Sequence, residues 1–395
     1  MRIAFTTDAF WPRINGVTVS TQTFLDELTR RGHALNLWAP TYPLTPEERA
    51  KPVYGDPRYH RMKSFGVAVS KEDYLTSPFE MKRFTREMNA FAPDLIHCQT
   101  EFSLAWFARP YAKLRRIPLV MSCHTYFEQY IEYFLPFLNV RFAKWFAREI
   151  TRFLFWHAET IITPTQAMKA VLQSYGLRCP IHVIPTGIRA EDFAGVSKER
   201  RDEDPFLKAH PELQGRRLLL AVGRLGQEKN VDFLLKVVQN LQTDHANTTL
   251  LVAGNGPYMD QFKKNIHAMG LDKVVRCLGY VRRSELKHLY ALADVFTFAS
   301  VTETQGLVTL EAMMCHTPVV AIGKMGTKEV MQGDNGGFMV SEDVQEFADR
   351  VRQLLDDPEL YRSKCAEAWE YSQNWTASKM AERLETLYRG LLKKA

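Results

Sequence analysis

Apolar residues along this chain gather in short, near-continuous runs. Each run is followed by a stretch in which they recur every three or four positions. Runs without polar alternation are strands buried on both faces, and the longer periods are helices laid over them. In the first half the pattern predicts strands at Arg2–Thr6, Ala34–Trp38, Asp94–Cys98, Pro118–Cys123, Thr160–Pro164 and His182–Ile184. Helices fall between them, near Val17–Arg31, Glu80–Phe91, Phe102–Arg116 and Thr165–Gly176, while Tyr42–Pro57, rich in proline and charge, reads as loop. The second half repeats the scheme, with strands at Arg217–Val222, Thr248–Ala253, Val274–Leu278, Asp294–Ala299, Pro318–Ile322 and Gly337–Val340, and helices that include Val231–Leu241 and Ser284–Leu292. Two tail helices, Pro358–Asn374 and Ala377–Lys393, close the chain. Repeated β-α-β units of this kind make two parallel sheets covered on both sides, hence an α/β chain.

The boundary belongs in the polar run after Pro185-Thr186-Gly187-Ile188. This gives domains at 1–188 and 189–375, with the last helix, 376–395, packing back on the first. The length of 395 residues suits two such domains. Six scattered cysteines without a C-x-x-C pair read as reduced thiols, and no apolar run reaches membrane-spanning length. The start goes straight into a strand, so a cytoplasmic protein is expected. A net charge of +6 favours anionic partners without selecting one.

Candidate chemistry lies in the loops that leave the strands. The stretch Val301–Ala312 reads VTETQGLVTLEA, with Glu303 and Glu311 separated by seven residues. Gly306 opens a short helix there, and backbone N–H groups at Gln305, Gly306, Leu307 and Val308 form a seat for phosphate. A carboxylate on either side can accept hydrogen bonds from sugar hydroxyls. An ordinary strand–turn–helix with solvated glutamates explains the stretch equally well on its own. The loop Gly223–Asn230 adds Arg224 and Lys229, five residues apart, which can grip a diphosphate as a planar fork and a mobile point charge. Gly254-Asn255-Gly256-Pro257 and Gly279-Tyr280-Val281 turn at further strand ends. In the first half, Gly16 opens a helix after a loop that also holds Asp8, and His124 follows a strand at its carboxyl end, where open sheets bind ligands. Asp202-Glu203-Asp204 looks like a D-x-D metal motif but sits in a charged linker, so no metal site is expected.

One stretch stands apart. Tyr126–Trp156 carries twelve aromatic residues, and its helical part places Arg141, Lys144, Arg148 and Arg152 within an arc of about 80°. Trp145, Trp156 and Leu138 border that arc, with Phe142 and Phe153 further round. Between Ala105 and Trp156 eight bases face three acids. A basic amphipathic helix edged with tryptophan fits an anionic membrane surface; a core-facing helix with a solvated basic side fits the same spacing.

Taken in order, Asn15-Gly16, the His124 strand end, G-R-L-x-x-x-K at Gly223–Lys229, G-N-G-P at Gly254–Pro257 and E-x7-E at Glu303–Glu311 resemble the retaining glycosyltransferases of family four. The match spans nearly the whole chain. It implies the GT-B fold: two Rossmann-like, doubly wound domains, the first for the acceptor and the second for a nucleotide-sugar donor. By that resemblance Arg224 and Lys229 bind the diphosphate, Glu311 the ribose, Glu303 and His124 the transferred sugar, Tyr280 and Val281 the base, and Gly16 the phosphate. Retention, through front-face transfer to an acceptor whose proton passes to the leaving diphosphate, is likewise implied by the family. The TETQGL wording and His124-Thr125-Tyr126 are most similar to enzymes that build diacylglycerol glycolipids. They imply a UDP-hexose donor, glucose first, a lipid acceptor, peripheral attachment to the inner membrane face, and no cofactor or metal. A GDP-mannose-dependent mannosyltransferase with a phosphoinositide or polysaccharide acceptor stays open, as do a GT-B isomerase and a nucleotide-sugar-binding protein without turnover. No nucleic-acid motif accompanies the charge, and the pattern leaves the oligomeric state open.

Overall fold

The computed structural model describes residues 1–13, 15–67, 70–124, 140–196, 198, 203–303 and 305–393. The run Thr125–139, with Leu138 and two of the three counted acids, lies outside the described residues, as do Asp202, Thr304 and Lys394. The chain divides into two compact units, Met1–Gly187 with Ala377–Ala395, and Ile188–Thr376.

The first unit contains β1 (Arg2–Thr6), α1 (Gly16–Arg30), β2 (Ala34–Pro40), β3 (Tyr59–Met62), β4 (Ser64–Val67), β5 (Ser70–Thr76), α2 (Met81–Phe91), β6 (Leu95–Cys98), α3 (Ser103–Arg115), β7 (Leu119–Ser122), α4 (Val140–Phe155), β8 (Thr160–Thr163), α5 (Gln166–Ser174) and β9 (Ile181–Val183). Seven strands pair in the order β3-β2-β1-β6-β7-β8-β9, all parallel. Alternate residues of one strand feed opposite layers: Ile3 and Phe5 face one core, Ala4 the other. That is why the strands read as unbroken apolar runs. The helices α3, α4 and α5 cover one face through Leu104, Phe107, Leu154, Phe155 and Met168. The other face is covered by α1 and by the carboxyl-terminal helix through Phe24, Leu28, Met380, Leu384 and Tyr388.

The second unit contains β10 (Arg217–Val222), α6 (Val231–Leu241), β11 (Thr248–Ala253), α7 (Met259–Ala268), β12 (Val275–Gly279), α8 (Arg283–Leu292), β13 (Val295–Phe298), α9 (Leu307–Met314), β14 (Val319–Ile322), α10 (Met325–Met331), β15 (Gly337–Val340), α11 (Val344–Asp356) and α12 (Pro358–Ser372). The carboxyl-terminal helix of the first unit is α13 (Ala377–Leu392). The six strands run parallel in the order β12-β11-β10-β13-β14-β15. Leu219 and Ala221 join one core layer, Leu218 and Leu220 the other.

Some elements go beyond the sequence pattern. The edge strand β3 reads Tyr-His-Arg-Met, and the antiparallel hairpin β4–β5 follows it, in a region without an apolar run. The helix α11 shows the 3.6 period at Phe347, Ala348, Val351, Leu354 and Leu355, all buried, yet its mean composition is polar. In each sheet the chain winds outward on one side and then returns to the other. Strand order therefore reverses between β1 and β6, and between β10 and β13.

Candidate functional site

An open parallel sheet leaves a crevice at its carboxyl edge where the strand order reverses. In the second unit that point lies between β10 and β13, and the loops leaving those strands are Gly223–Asn230 and Ala299–Gly306. They meet through Lys229 and Glu303, whose side chains form an ion pair. The Glu303 main chain is fixed from below, since its carbonyl accepts from Gly326 N–H at 2.9 Å. Arg224, well exposed, pairs with Glu228 at 2.8 Å.

Neighbouring loops are knitted to this pair by backbone bonds. Gly223 N–H donates to the Ala253 carbonyl (3.0 Å), Leu225 N–H to Asn255 (3.0 Å), Tyr258 N–H to Leu225 (3.1 Å) and Gly254 N–H to Gly279 (2.7 Å). A Cβ at Gly254, where φ is +144°, would overlap the Gly223 carbonyl oxygen, and one at Gly256 would overlap that of Leu225. Those two glycines thus serve the close approach of one loop to the next. Asn255 carries the bond that sets Leu225, and its side chain folds onto Gly256 N–H. Tyr280 projects, 67% exposed, and Val281 is partly buried against the core.

Helix α9 starts at this edge, capped by Gly306 in the left-handed region (φ +74°). As first-turn groups, the N–H of Leu307 and Val308 have no intrahelical acceptor and point out of the helix entrance, which Gly306 leaves without a side chain over it. Gln305 is buried beside them. Around this edge Ser300 Oγ, Thr327 Oγ1 and Glu228 Oε2 are buried and find no hydrogen-bond partner among the described residues. Buried polar atoms of this kind normally belong to a water or a ligand.

Glu311 sits one helical turn into α9. It is 5% exposed, and both of its oxygens are engaged: Tyr290 Oη–H donates to one at 2.8 Å and Arg283 holds the other at 3.0 Å. Burial and the adjacent Glu311 carboxylate push the Tyr290 hydroxyl well above its usual range. Burial pulls Arg283 down, but Glu311 and Asp192 outweigh it and raise the guanidinium above its ordinary value. Sequence reasoning missed Arg283 and Tyr290. Their spacing from Glu311 crosses a strand, and only α8 packing on α9 brings the three together.

In the first unit the reversal lies between β1 and β6, and the loops after both are joined by Asp8. Thr100 Oγ1 donates to its carboxylate at 2.8 Å, Leu104 N–H at 3.3 Å, and Ser103 Oγ–H as well. Burial still raises the Asp8 carboxyl above its ordinary value. Glu101 is 2% exposed beside it, pushed up to about 8 by burial, with Oε1 unpartnered among the described residues. His124 stands at the carboxyl end of β7. Its Nε2 lies 3.4 Å from Gln99 Oε1, and burial holds it down to about 4, so the ring is neutral at pH 7. The Gln99 amide nitrogen approaches His97 Nδ1 (3.2 Å), and His97 in turn meets Tyr388 Oη of α13 (2.5 Å) and Ser122 Oγ (2.8 Å). Gly16 begins α1, and Asn15 caps it by accepting from Thr18 N–H. A Cβ at Gly16 would meet nothing, so its glycine is not dictated by packing.

Glu203 and Asp204 lie away from both reversal points: Asp204 caps a short helix by accepting from Phe206 N–H and lies 3.2 Å from His288. Among the described residues no group of three or more His, Cys, Asp or Glu side chains converges, and no helix is long and apolar enough to cross a membrane.

Residues 14–192 match the family described as Glycosyltransferase Family 4, and residues 202–371 match the one described as Glycosyl transferases group 1. The alpha-monoglucosyldiacylglycerol synthase of Streptococcus pneumoniae is 29% identical over 326 residues, which cover 82% of this chain and 71% of that enzyme. The enzyme of the same name from Acholeplasma laidlawii is 26% identical over 400 residues, covering 100% of this chain and 98% of its own. Among solved structures, HepE of Anabaena in complex with UDP superposes with a TM-score of 0.76 at 18% identity, over 98% of this chain and 99% of that one. At that identity the likeness concerns the fold.

Proposed function

We propose, from the premise that this chain belongs to the GT-B glycosyltransferases of family four, that it transfers glucose from UDP-glucose to a diacylglycerol-type lipid at a membrane surface. The observation that carries the reading is the convergence at the β10/β13 reversal. There a cationic loop, a carboxylate and an open helix entrance surround buried polar atoms that find no partner among the described residues.

The chemistry follows from charge. As the bond to the anomeric carbon breaks, negative charge grows on the diphosphate. Arg224, Lys229 and the α9 entrance can stabilise it without a metal ion, and loss of one such donor typically costs about 10²–10³ in rate. Glu303 accepts from hydroxyls of the departing sugar, and Glu311, oriented by Arg283 and Tyr290, accepts from the ribose with the lone pairs it has left. Tyr280 and Val281 present backbone to the base. Gly16 N–H meets phosphate, and neutral His124 serves a sugar hydroxyl. The acceptor proton passes to the leaving diphosphate oxygen as the new bond forms on the same face, so that configuration is retained.

Two relatives named as glucosyldiacylglycerol synthases support the lipid acceptor. So do the surfaces of α3 and α4. The exposed large apolar residues Phe102, Trp106 and Leu114 lie on or next to α3; Phe142, Trp145, Phe146, Phe153 and Trp156 lie on or next to α4. They alternate with exposed Lys113, Arg115, Arg116, Arg141, Lys144, Arg148 and Arg152. The α3 contribution was not visible in the helical pattern, since Trp106 and Leu114 look like core residues there.

Transfer assays settle the reading. Radiolabelled UDP-glucose with diacylglycerol in mixed micelles should give a monoglucosyl lipid. Transfer only from GDP-mannose, or only to water-soluble acceptors, would reject the assignment.

A further inference from the structure

The face of the first sheet that carries α3 and α4 holds a cavity of about 620 Å³, away from the strand ends where His124 stands. It lies between the last two turns of α3 and the chain just past α4. Its polar lining is Arg109, Lys113, Arg116, His157 and Glu159, over an apolar floor that includes Ile117 and Leu119. Three permanent cations thus line the cavity beside one carboxylate, Glu159, and Arg109 is in addition close enough to feel the Glu101 carboxyl. Arg109 is half-buried; its Nη2 donates to Met121 Sδ at 3.8 Å, and its Nε is buried without a hydrogen-bond partner among the described residues. A buried guanidinium donor left unsatisfied is costly unless something outside the chain completes it. The carbonyl end of α3 does not oppose an anion strongly, because Arg116 N–H and Ile117 N–H turn back onto Lys113 and Ala112. Arg116 (φ +54°) and His157 (φ +77°) both hold left-handed backbone at the rim.

We propose that this cavity is a phosphate site, taking one phosphomonoester or phosphodiester group on Arg109, Lys113 and Arg116. Guanidinium and ammonium donors bind phosphate through charge-assisted hydrogen bonds, and Arg109 supplies a partly desolvated fork for them. The rim is flanked by exposed Leu114 and Trp156, whose apolar surfaces suit the region beneath a lipid headgroup. The headgroup form of the ligand rests on the membrane reading above; the phosphate site itself does not, and free phosphate would satisfy the same donors.

The test uses the full chain. Arg109 is half-buried and its loss could unfold the unit, so the variant is the exposed pair Lys113→Gln/Arg116→Asn, asparagine being tolerant of left-handed backbone. Isothermal titration with inorganic phosphate should show binding about tenfold or more weaker in this variant. Both chains are compared on an Arg224→Ala background, which weakens phosphate at the diphosphate loop and should leave the difference between them in place. The second arm measures sedimentation with phosphatidylcholine vesicles with and without phosphatidylglycerol. It uses Lys236→Gln/Lys264→Gln on the other unit as a control of equal charge. A fall on phosphatidylglycerol vesicles larger than in the control identifies a headgroup. Lost phosphate binding with a fall equal to the control identifies free phosphate. Unchanged phosphate affinity together with a fall equal to the control would overturn the site.

Discussion

Lys229 and Glu303 are each other's partner in the free protein, and the proposed function gives each a second use once a donor binds. The pair is partly exposed, so its own contribution to stability is small. Its worth lies in holding two loops at the spot where a diphosphate and a sugar would part. Lys229→Ala and Arg224→Ala should each lower turnover by about tenfold or more while leaving the fold intact. Steady-state kinetics with circular dichroism decides this, and near-native turnover in both would remove the diphosphate assignment. Glu101 behaves differently, because its burial is internal to the first unit. Its carboxyl titrates at about 8 in the folded chain, against an ordinary 4.5. The folded state therefore holds the proton more tightly, and stability falls as pH rises from about 4.5 to about 8. Glu101→Gln has no such proton. Its stability relative to the parent should grow across that window by roughly a few kcal/mol, then level off. Urea midpoints near the two ends of the window measure the difference, and a gap independent of pH would show that Glu101 is ionised throughout.

At the scale of elements, the site is made by loops that glycines allow to touch. Gly254 has no space for a methyl group beside the Gly223 carbonyl, so Gly254→Ala must push the β10 and β11 loops apart. We expect a loss of about 1–3 kcal/mol in stability and a larger loss of donor affinity than of fold, read by chemical denaturation and nucleotide titration. Unchanged affinity would mean that the loops adjust without moving Arg224. Similar reasoning explains which parts of the architecture were legible in advance. Strands such as Leu250–Val252 and Val319–Ile322 are buried on both faces, so their residues cannot be polar and the runs announce themselves. The edge strand β3 has one neighbour only, so Tyr59-His60-Arg61-Met62 escapes that constraint. The helix α11 buries one stripe and solvates the rest, which hides it in a polar average. The strand-end motifs were legible because loops there carry glycine and charge. The Arg283–Glu311–Tyr290 cluster and the His97–Tyr388 contact were not, because both join residues that only the folded packing brings together. The basic face of α4 carries its own expectation. Reversing Arg141, Lys144 and Arg148 to glutamate should weaken binding to anionic vesicles, since each base near such a surface contributes about 1 kcal/mol. Sedimentation at low salt reads it; undiminished binding would return α4 to a solvated helix.

For the whole molecule, the two units have separate cores, and apart from Gly16 the features assigned to the donor's diphosphate and base lie in Ile188–Thr376. A ligand that binds only the folded state adds stability according to its saturation, about 2.7 kcal/mol at roughly 100 times its dissociation constant. That stabilisation is local where the contacts are local. With UDP, slowed hydrogen exchange should therefore concentrate in Gly223–Asn230, Gly254–Pro257, Gly279–Val281 and Val301–Val308. Because the charges assigned to the diphosphate are Arg224, Lys229 and the α9 N–H groups, the same protection should persist in EDTA. GDP provides the comparison, since a base held by the backbone of Tyr280 and Val281 is selected by shape rather than by side-chain chemistry. Protection confined to Met1–Gly187 would move the donor to the other unit. Protection that vanishes on chelation and returns with manganese would show that a metal ion carries the diphosphate after all.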